Sequence, residues 1–434
     1  MNPLTVARAQ MELSLGFHIV FSALGIGMPL LMLVAEARFL RTGEEHYRSL
    51  ARVWGKATAL LFVVGAVSGT ALSFELGLLW PKFMAFAGPA LGPAFALEGY
   101  AFLLEAIFLG LYLYGWDRLS PRAHWWTGVP VAVSGCVSGI LVVGANAWMQ
   151  SPRGFTAVGG KIVDLDPFAV FRNPSWIPLA AHSTFACYTA VGFAVAGVYA
   201  FGMLRGRDGP RQRAGLTIAM AVGTIAGVLQ PLTGDRLAKL LFHTQPAKLA
   251  AMEAHFHTET GVGLLVGGIP DPATGKVAYG IYLPKMLSFM STGDFNAKIV
   301  GLWDFPPDQR PNVLVCHFAF QLMVAAGFGL AGLGALWALF ALRKKPLGTW
   351  MLRLIALAAP LGFLALEAGW FVTEVGRQPW IIHGVLRTAD AVTPRDDVMY
   401  TFVLYIALYI GLAVALVALL RALARKYAEV EVVS

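Results

Sequence analysis

Apolar runs of membrane-spanning length recur from one end of this chain to the other. About 20 such residues cross the hydrocarbon core of a bilayer as a helix. Inside lipid each spanning backbone must satisfy its own N–H and C=O groups, which leaves helices or closed barrels. Here the pattern is helical, with about nine spans near 13–37, 53–79, 94–116, 127–149, 179–204, 215–235, 313–341, 350–374 and 398–420. The expected fold is all-α, a polytopic integral membrane helical bundle forming a single membrane domain over residues 1–434. Composition agrees, because 57% hydrophobic and 13% charged residues is more apolar than soluble domains run. The first run, Leu13 to about Ala35, is too long for the apolar region of a signal peptide and reads as the first span.

Basic residues orient the bundle. Arg38, Arg41, Arg48 and Arg52 follow the first span, Arg118 and Arg122 the third, and Arg205, Arg207, Arg211 and Arg213 the fifth. Arg343, Lys344 and Lys345 follow the seventh, and Arg421, Arg425 and Lys426 lie in the tail. All of these fall on one side, expected to be the cytoplasm, so the N-terminus is expected outside and the C-terminus inside. The net charge of +8 is spent in these short loops and does not suggest nucleic acid. Cys136, Cys187 and Cys316 are scattered without metal-ligand spacing and read as small buried residues. One external loop is long, residues 236–312, and loops of that length are usually functional. Within it, Gln245 to Thr260 has helical character and carries Lys248 and Glu253. By themselves these two read as a solvated helix face.

The polar residues inside the spans carry the chemistry. Glu367, Trp370, Glu374 and Arg377 follow at intervals of three or four before Pro379, so they share one helical face. A carboxylate in hydrocarbon must face protein, a partner charge or a metal. The plain alternative is an Arg–Glu pair anchoring a helix end at the headgroups. His18 and His182 lie early in the first and fifth spans, and Met323 lies about ten residues into the seventh, roughly 15 Å deep by the helical rise. Imidazole, thioether and carboxylate together suggest iron ligation, and a His/Met pair suits a six-coordinate electron-transfer heme. Each His alone reads equally well as a hydrogen-bonded buried imidazole, and Met323 alone as packing. Glu98 and Glu105 stand seven apart on one face of the third span, which suggests a proton relay or a pair of helix-packing hydrogen bonds. Glu75, near the end of the second span, reads as interfacial.

In their order along the chain these residues resemble subunit I of the cytochrome bd-type quinol oxidases. The likeness covers essentially the whole sequence. It is carried by Phe17-His18, Trp54-Gly55-Lys56, Gly115-Trp116-Asp117-Arg118-Leu119, Ala145-Asn146-Ala147-Trp148-Met149-Gln150, and above all Gly369-Trp370-Phe371 through Gly376-Arg377-Gln378-Pro379-Trp380. The resemblance implies a quinol:dioxygen oxidoreductase. His182 and Met323 would be the axial ligands of a low-spin heme b. His18 and Glu374 would each ligate a high-spin heme, one a heme b and the other heme d or a further heme b, with the assignment between them left open. Arg377 and Trp370 would stand beside the hemes. The long loop would be the quinol loop, of the short kind, with Lys248 and Glu253 in the quinol site. Implied partners are a second membrane subunit, small single-span subunits, quinol, dioxygen and the lipid bilayer of a bacterial or archaeal plasma membrane. A proton gradient would arise without pumping, with Glu105 and Glu98 relaying protons.

Two departures from the family pattern bear on roles. Gln321 stands near the low-spin heme where many members have Arg, and the interval from Glu98 to Glu105 is one residue shorter than usual. Rival readings are a non-heme proton-coupled transporter using Glu98, Glu105 and Glu374, and a heme b electron carrier without oxygen chemistry. The first leaves His182 and Met323 without a role, and the second leaves His18 and Glu374 without one.

Overall fold

The structure, a computed structural model, describes residues 3–159, 161–395 and 397–433. Among these residues, nine helical segments are long and apolar enough to cross a membrane, matching the number read from the sequence. In order come α1 (Pro3–Thr42), α2 (Glu45–Leu79), α3 (Pro81–Tyr114), α4 (Pro121–Gln150), the short strands β1 (Thr156–Val158) and β2 (Lys161–Val163), α5 (Trp176–Leu204) and α6 (Pro210–Thr244). The long connection then holds α7 (Pro246–Met252), β3 (Glu259–Thr260), β4 (Leu264–Asp271), β5 (Lys276–Leu283), α8 (Met286–Thr292) and β6 (Lys298–Ile299). Last come α9 (Val313–Leu342), α10 (Thr349–Ala358), α11 (Leu361–Val375), β7 (Trp380–Ile382), β8 (Leu386–Arg387), α12 (Thr388–Ala391) and α13 (Val398–Val433). The strands pair only two by two, antiparallel.

Local chemistry sets the helix ends. Proline opens α3, α4, α6 and α7, where its missing N–H has no partner to lose. Asn312 caps α9 by accepting from the Val315 N–H at 3.2 Å, a donor the helix itself cannot satisfy. The eighth span is not one helix. It breaks between Ala358 and Leu361, where Pro360 lacks the N–H that would continue the ladder. Helices are also longer than the spans read from hydropathy. The 40 residues of α1 rise about 60 Å against a hydrocarbon core of about 30 Å, and α6 runs on to Thr244 instead of ending near 235.

Close helix contact replaces hydrophobic contrast as the packing principle within lipid. A Cβ on Gly192 of α5 would lie 2.5 Å from the backbone of Gly223 on α6, so those two helices approach at glycine. Leu31, Met32, Trp54 and Val191 fill the middle of the bundle, and Phe83, Trp148 and Ile382 fill one end. Large apolar residues such as Leu103, Ile107, Val403 and Leu404 point outward, as a lipid-facing surface requires.

The bundle has two distinct ends. One carries the 245–312 connection, and there the His383 N–H donates to Met149 O and the Thr393 N–H to Leu79 O. The other carries the short basic loops. Glu75 corrects the interfacial reading: it is fully buried and accepts from Gln10 Nε2 at 2.8 Å. The reason is the length of α1, which begins at Pro3 and lays its first turns over the end of α2.

Candidate functional site

Three helix ends converge at the loop end of the bundle. Glu374, in the last turn of α11, accepts hydrogen bonds from Asn146 Nδ2 on α4 and from Arg377 Nη2. One turn beyond Asn146, Gln150 donates from Nε2 to the Thr373 carbonyl at 3.3 Å. Its carboxamide oxygen accepts from Gln245 Nε2 and from Lys248 Nζ, each at 2.9 Å. A continuous polar network thus runs from Glu374 through Asn146 and Gln150 to the start of α7. Gly376 makes room for it, since a Cβ there would lie 2.6 Å from Lys248 Cε.

Two cations and one carboxylate share this buried space. Arg377 is 2% exposed, and its Nε and Nη1 have no hydrogen-bond partner. Burial pushes the Lys248 ammonium down to about 7, with Arg377 adding to the shift and Glu374 opposing it. The same burial, with Lys248 and Arg377 beside it, holds the His383 imidazole down to about 4. Glu253, which ends α7, is buried with Oε2 unpartnered, and burial pushes it up to about 8. These placements correct the expectation of a water-facing loop for Lys248 and Glu253. The cause is the apolar character of α7: Ala250 and Ala251 pack against Leu302, Val313 and Cys316, which draws the whole turn inward. No ion pair joins Lys248 to Glu253. A cavity of about 500 Å³ opens beside the end of α11, with Arg8, Arg310, Arg387, Glu12, Phe371 and Val375 in its wall.

The other candidates lie deeper. His18 faces α2, with Nδ1 3.0 Å from Ser68 Oγ, and a Cβ at Gly69 would come within 2.8 Å of its Cε1. His182 faces α6, with Nδ1 3.0 Å from Thr233 Oγ1 and Nε2 3.2 Å from Gln230 Nε2; a Cβ at Gly234 would lie 3.3 Å away. Met323 Sδ sits 3.0 Å from where a Cβ of Gly369 would be, on α11. Each of these side chains therefore lies where the facing helix has a glycine. Trp370 packs against Ile19, Ala23 and Leu366, between α11 and α1. Glu367 Oε1 is unpartnered, and its Oε2 faces Gly16. Glu105 is buried against Gly135 and Glu98 is half-buried. Among the described residues no hydrogen bond joins His182 to Met323 or His18 to Glu374.

Gln321 makes contacts that the sequence did not suggest. Its Oε1 accepts from the Gly267 N–H at 2.9 Å and its Nε2 donates to Leu265 O at 3.1 Å, fastening β4 to α9. One turn earlier, His317, absent from the sequence reading, is fully buried with Nδ1 2.9 Å from Met252 O and Nε2 3.1 Å from Gly267 O. Asn146, Gln150 and Gln245 also escaped assignment. Two amides one turn apart at the end of an apolar helix were the available signal.

Residues 6–428 match the profile of cytochrome bd terminal oxidase subunit I. The chain belongs to that family. The putative cytochrome bd menaquinol oxidase subunit I of Bacillus subtilis is 36% identical over 412 residues, covering 93% of each chain. The cytochrome bd ubiquinol oxidase subunit 1 of the same organism is 32% identical over 408 residues, covering 91% of this chain and 87% of its own. The structure of bd oxidase from Geobacillus thermodenitrificans aligns with a TM-score of 0.93 at 34% identity, covering 98% of this chain and 99% of that one. This cytochrome bd subunit is accordingly a terminal quinol oxidase component and a multi-pass plasma-membrane protein.

Membership implies hemes, and the residues present fit them. Imidazole, thioether and carboxylate are iron donors, and the buried Arg377 offers two unpartnered N–H groups, the fork that a propionate carboxylate accepts.

Proposed function

We propose that this chain oxidises membrane quinol at the loop end of the bundle and reduces dioxygen to water with bound hemes. His182 and Met323 would hold a low-spin heme b; His18 and Glu374 would each hold a high-spin heme, one a heme b and the other heme d or a further heme b. When bound, the hemes supply the electron carriers and the centre for dioxygen reduction. The protein's own residues do the rest.

Lys248 and Glu253 lie in the long connection, which we read as the quinol segment. A Lys held near 7 is in part a neutral amine at physiological pH, able to accept a proton from a quinol hydroxyl. A carboxyl held near 8 is mostly protonated there and can donate a hydrogen bond to the quinol oxygen until it ionises. Arg377 donates to the Glu374 carboxylate and has donors left for a propionate. Because the basic loops lie at the opposite end, the quinol end faces outward. Quinol protons leave there, while protons consumed in water formation come from the cytoplasm past Glu105, with Glu98 as a further relay carboxylate. Charge separation then follows without a pumping step. We expect the chain to work beside a second membrane subunit, with small single-span subunits.

The observation that supports this reading is the buried network joining Glu374 and Arg377 to Lys248 through Asn146 and Gln150, because it ties the long connection to the end of α11. A reduced-minus-oxidised spectrum with and without carbon monoxide tests it. High-spin bands that respond to carbon monoxide are expected beside a low-spin b band. A spectrum without heme, or with low-spin heme b alone, would overturn it.

A further inference from the structure

A second buried polar cluster lies at the end of the bundle opposite the quinol segment. Its members are Glu36 near the end of α1, Tyr112 in the last turn of α3 and His124 in the first turn of α4, each at most 1% exposed. His124 Nδ1 lies 2.6 Å from Glu36 Oε1, and Nε2 lies 2.8 Å from the Tyr112 carbonyl. Both ring nitrogens face oxygens, so one N–H can donate to the Tyr112 carbonyl while Nδ1 shares a proton with the Glu36 carboxyl. Glu36 Oε2 and the Tyr112 hydroxyl complete no hydrogen bond, although the Glu36 charge acts on that hydroxyl. Trp116 packs on His124 with ring centres 4.0 Å apart, and Arg52 of α2 caps Trp116 at 4.9 Å while pairing with Asp117 at 3.1 Å.

Position along α4 gives this cluster meaning. His124 and Asn146 are 22 residues apart, which is about 33 Å of helix, the thickness of the hydrocarbon core. Glu105 lies midway, against Gly135. On α3, Glu105 and Tyr112 are separated by two turns, about 10 Å. On the antiparallel α4, Gly135 and Gly128 are separated by the same interval. A Cβ at Gly135 would be 3.2 Å from both Glu105 oxygens, and one at Gly128 would be 3.0 Å from the Tyr112 ring. At these two positions α4 thus brings only backbone up to the Glu105 carboxyl and the Tyr112 ring, with Val131 packed in the turn between them.

We infer that Glu36 and the Tyr112 hydroxyl, held in place by His124, form the proton-uptake station at this end of the bundle and deliver protons along the α3–α4 contact toward Glu105. Glu36 takes up a proton from the Trp116–Arg52–Asp117 face. The Tyr112 hydroxyl accepts that proton on its oxygen as it releases its own toward Glu105 through water between the two helices, so no net charge stays on the phenol. His124 acts through Glu36 and is a positioning residue. The competing view is a purely structural ion pair stapling α1, α3 and α4. That view gives the Tyr112 hydroxyl nothing to do, since a Phe would pack equally well.

The inference rests on the oxidase reading, and the experiment separates the two. Tyr112→Phe, Glu36→Gln and His124→Asn are made in the full assembled oxidase. Measurements are heme content, anaerobic reduction of heme by quinol, and oxygen uptake against pH in water and in deuterium oxide. Tyr112→Phe and Glu36→Gln should keep heme content and anaerobic reduction while lowering oxygen uptake about tenfold or more, the scale of a lost proton-transfer group. The deuterium effect should grow, Glu36→Asp should restore part of the rate, and His124→Asn should shift the pH profile. Wild-type uptake, pH profile and isotope effect in Tyr112→Phe would overturn the proposal, even if Glu36→Gln lost heme. An unmodified complex lacking heme bands would remove the oxidase reading itself, which shows before any variant is made.

Discussion

Replacing Glu374 by Gln isolates the charge of the carboxylate from its shape. The side chain keeps an acceptor for Asn146 Nδ2, so the α4–α11 contact survives. What is lost is the counter-charge of Arg377, whose side chain is 2% exposed while that of Glu374 is 23% exposed. Arg377 already has two unpartnered nitrogens, and the variant adds a third. Breaking a buried ion pair by removing one partner costs roughly 3–5 kcal/mol, and the partial exposure of Glu374 argues for about 3 kcal/mol. If the carboxylate also ligates iron, the same loss weakens heme binding at that site by about two orders of magnitude. Heme quantification per chain, the carbon monoxide difference spectrum and oxygen uptake check this. The high-spin signal assigned to Glu374 should fall while the low-spin band of the His182 site persists as an internal control. Full heme occupancy with full oxygen uptake in Glu374→Gln would refute the reasoning and reduce the pair to a headgroup anchor.

Four further outcomes are expected. His182→Ala should abolish the low-spin band, and Met323→Leu, which nearly conserves volume, should turn that heme high-spin; an unchanged spectrum in either would remove the residue from the ligand set. Lys248→Ala and Glu253→Ala should impair quinol turnover with every heme band retained, and loss of heme together with activity would make them folding residues. Burial holds Lys248 down to about 7, so if it is the base that takes the quinol proton, quinol oxidation should decline as pH falls through about 7. Arg377→Leu should move that limb to higher pH, since Arg377 lowers the Lys248 value; a limb that stays in place or moves the other way counts against Lys248 as the base. Gly135→Ala sets a methyl 3.2 Å from both Glu105 oxygens and should slow oxygen uptake without slowing anaerobic heme reduction, whereas equal slowing of both would deny Glu105 a proton role.

The nine spans were legible because length and hydropathy alone decide what lipid tolerates. Helix overshoot was not, because helical segments outside the hydrocarbon are polar enough to resemble loops, as in Ala7–Gln10 and Asp235–Thr244. Glu374 and Arg377 stood out as charges at three-residue spacing in an apolar run. Their partners did not, since Asn146, Gln150 and Gln245 are neutral amides more than 90 residues away. Lys248 and Glu253 looked solvated because charge in a loop normally is. Only the contacts of Ala250 and Ala251 below them show otherwise. The Glu36–His124 pair escaped because its members sit 88 residues apart, each beside residues that read as ordinary cytoplasmic flanks.

The fastening of β4 to α9 has a consequence that can be read by hydrogen exchange. Backbone amides in a small, water-washed hairpin normally exchange through local fraying. The Gly267 amide instead donates to the Gln321 side chain on a membrane helix, while its carbonyl lies 3.1 Å from His317 Nε2. Its deuterium uptake is therefore governed by release of the whole hairpin from α9. Slow exchange at Gly267 beside fast exchange at the exposed Tyr279, across the same hairpin, would time that release directly, and Gln321→Ala would collapse the difference.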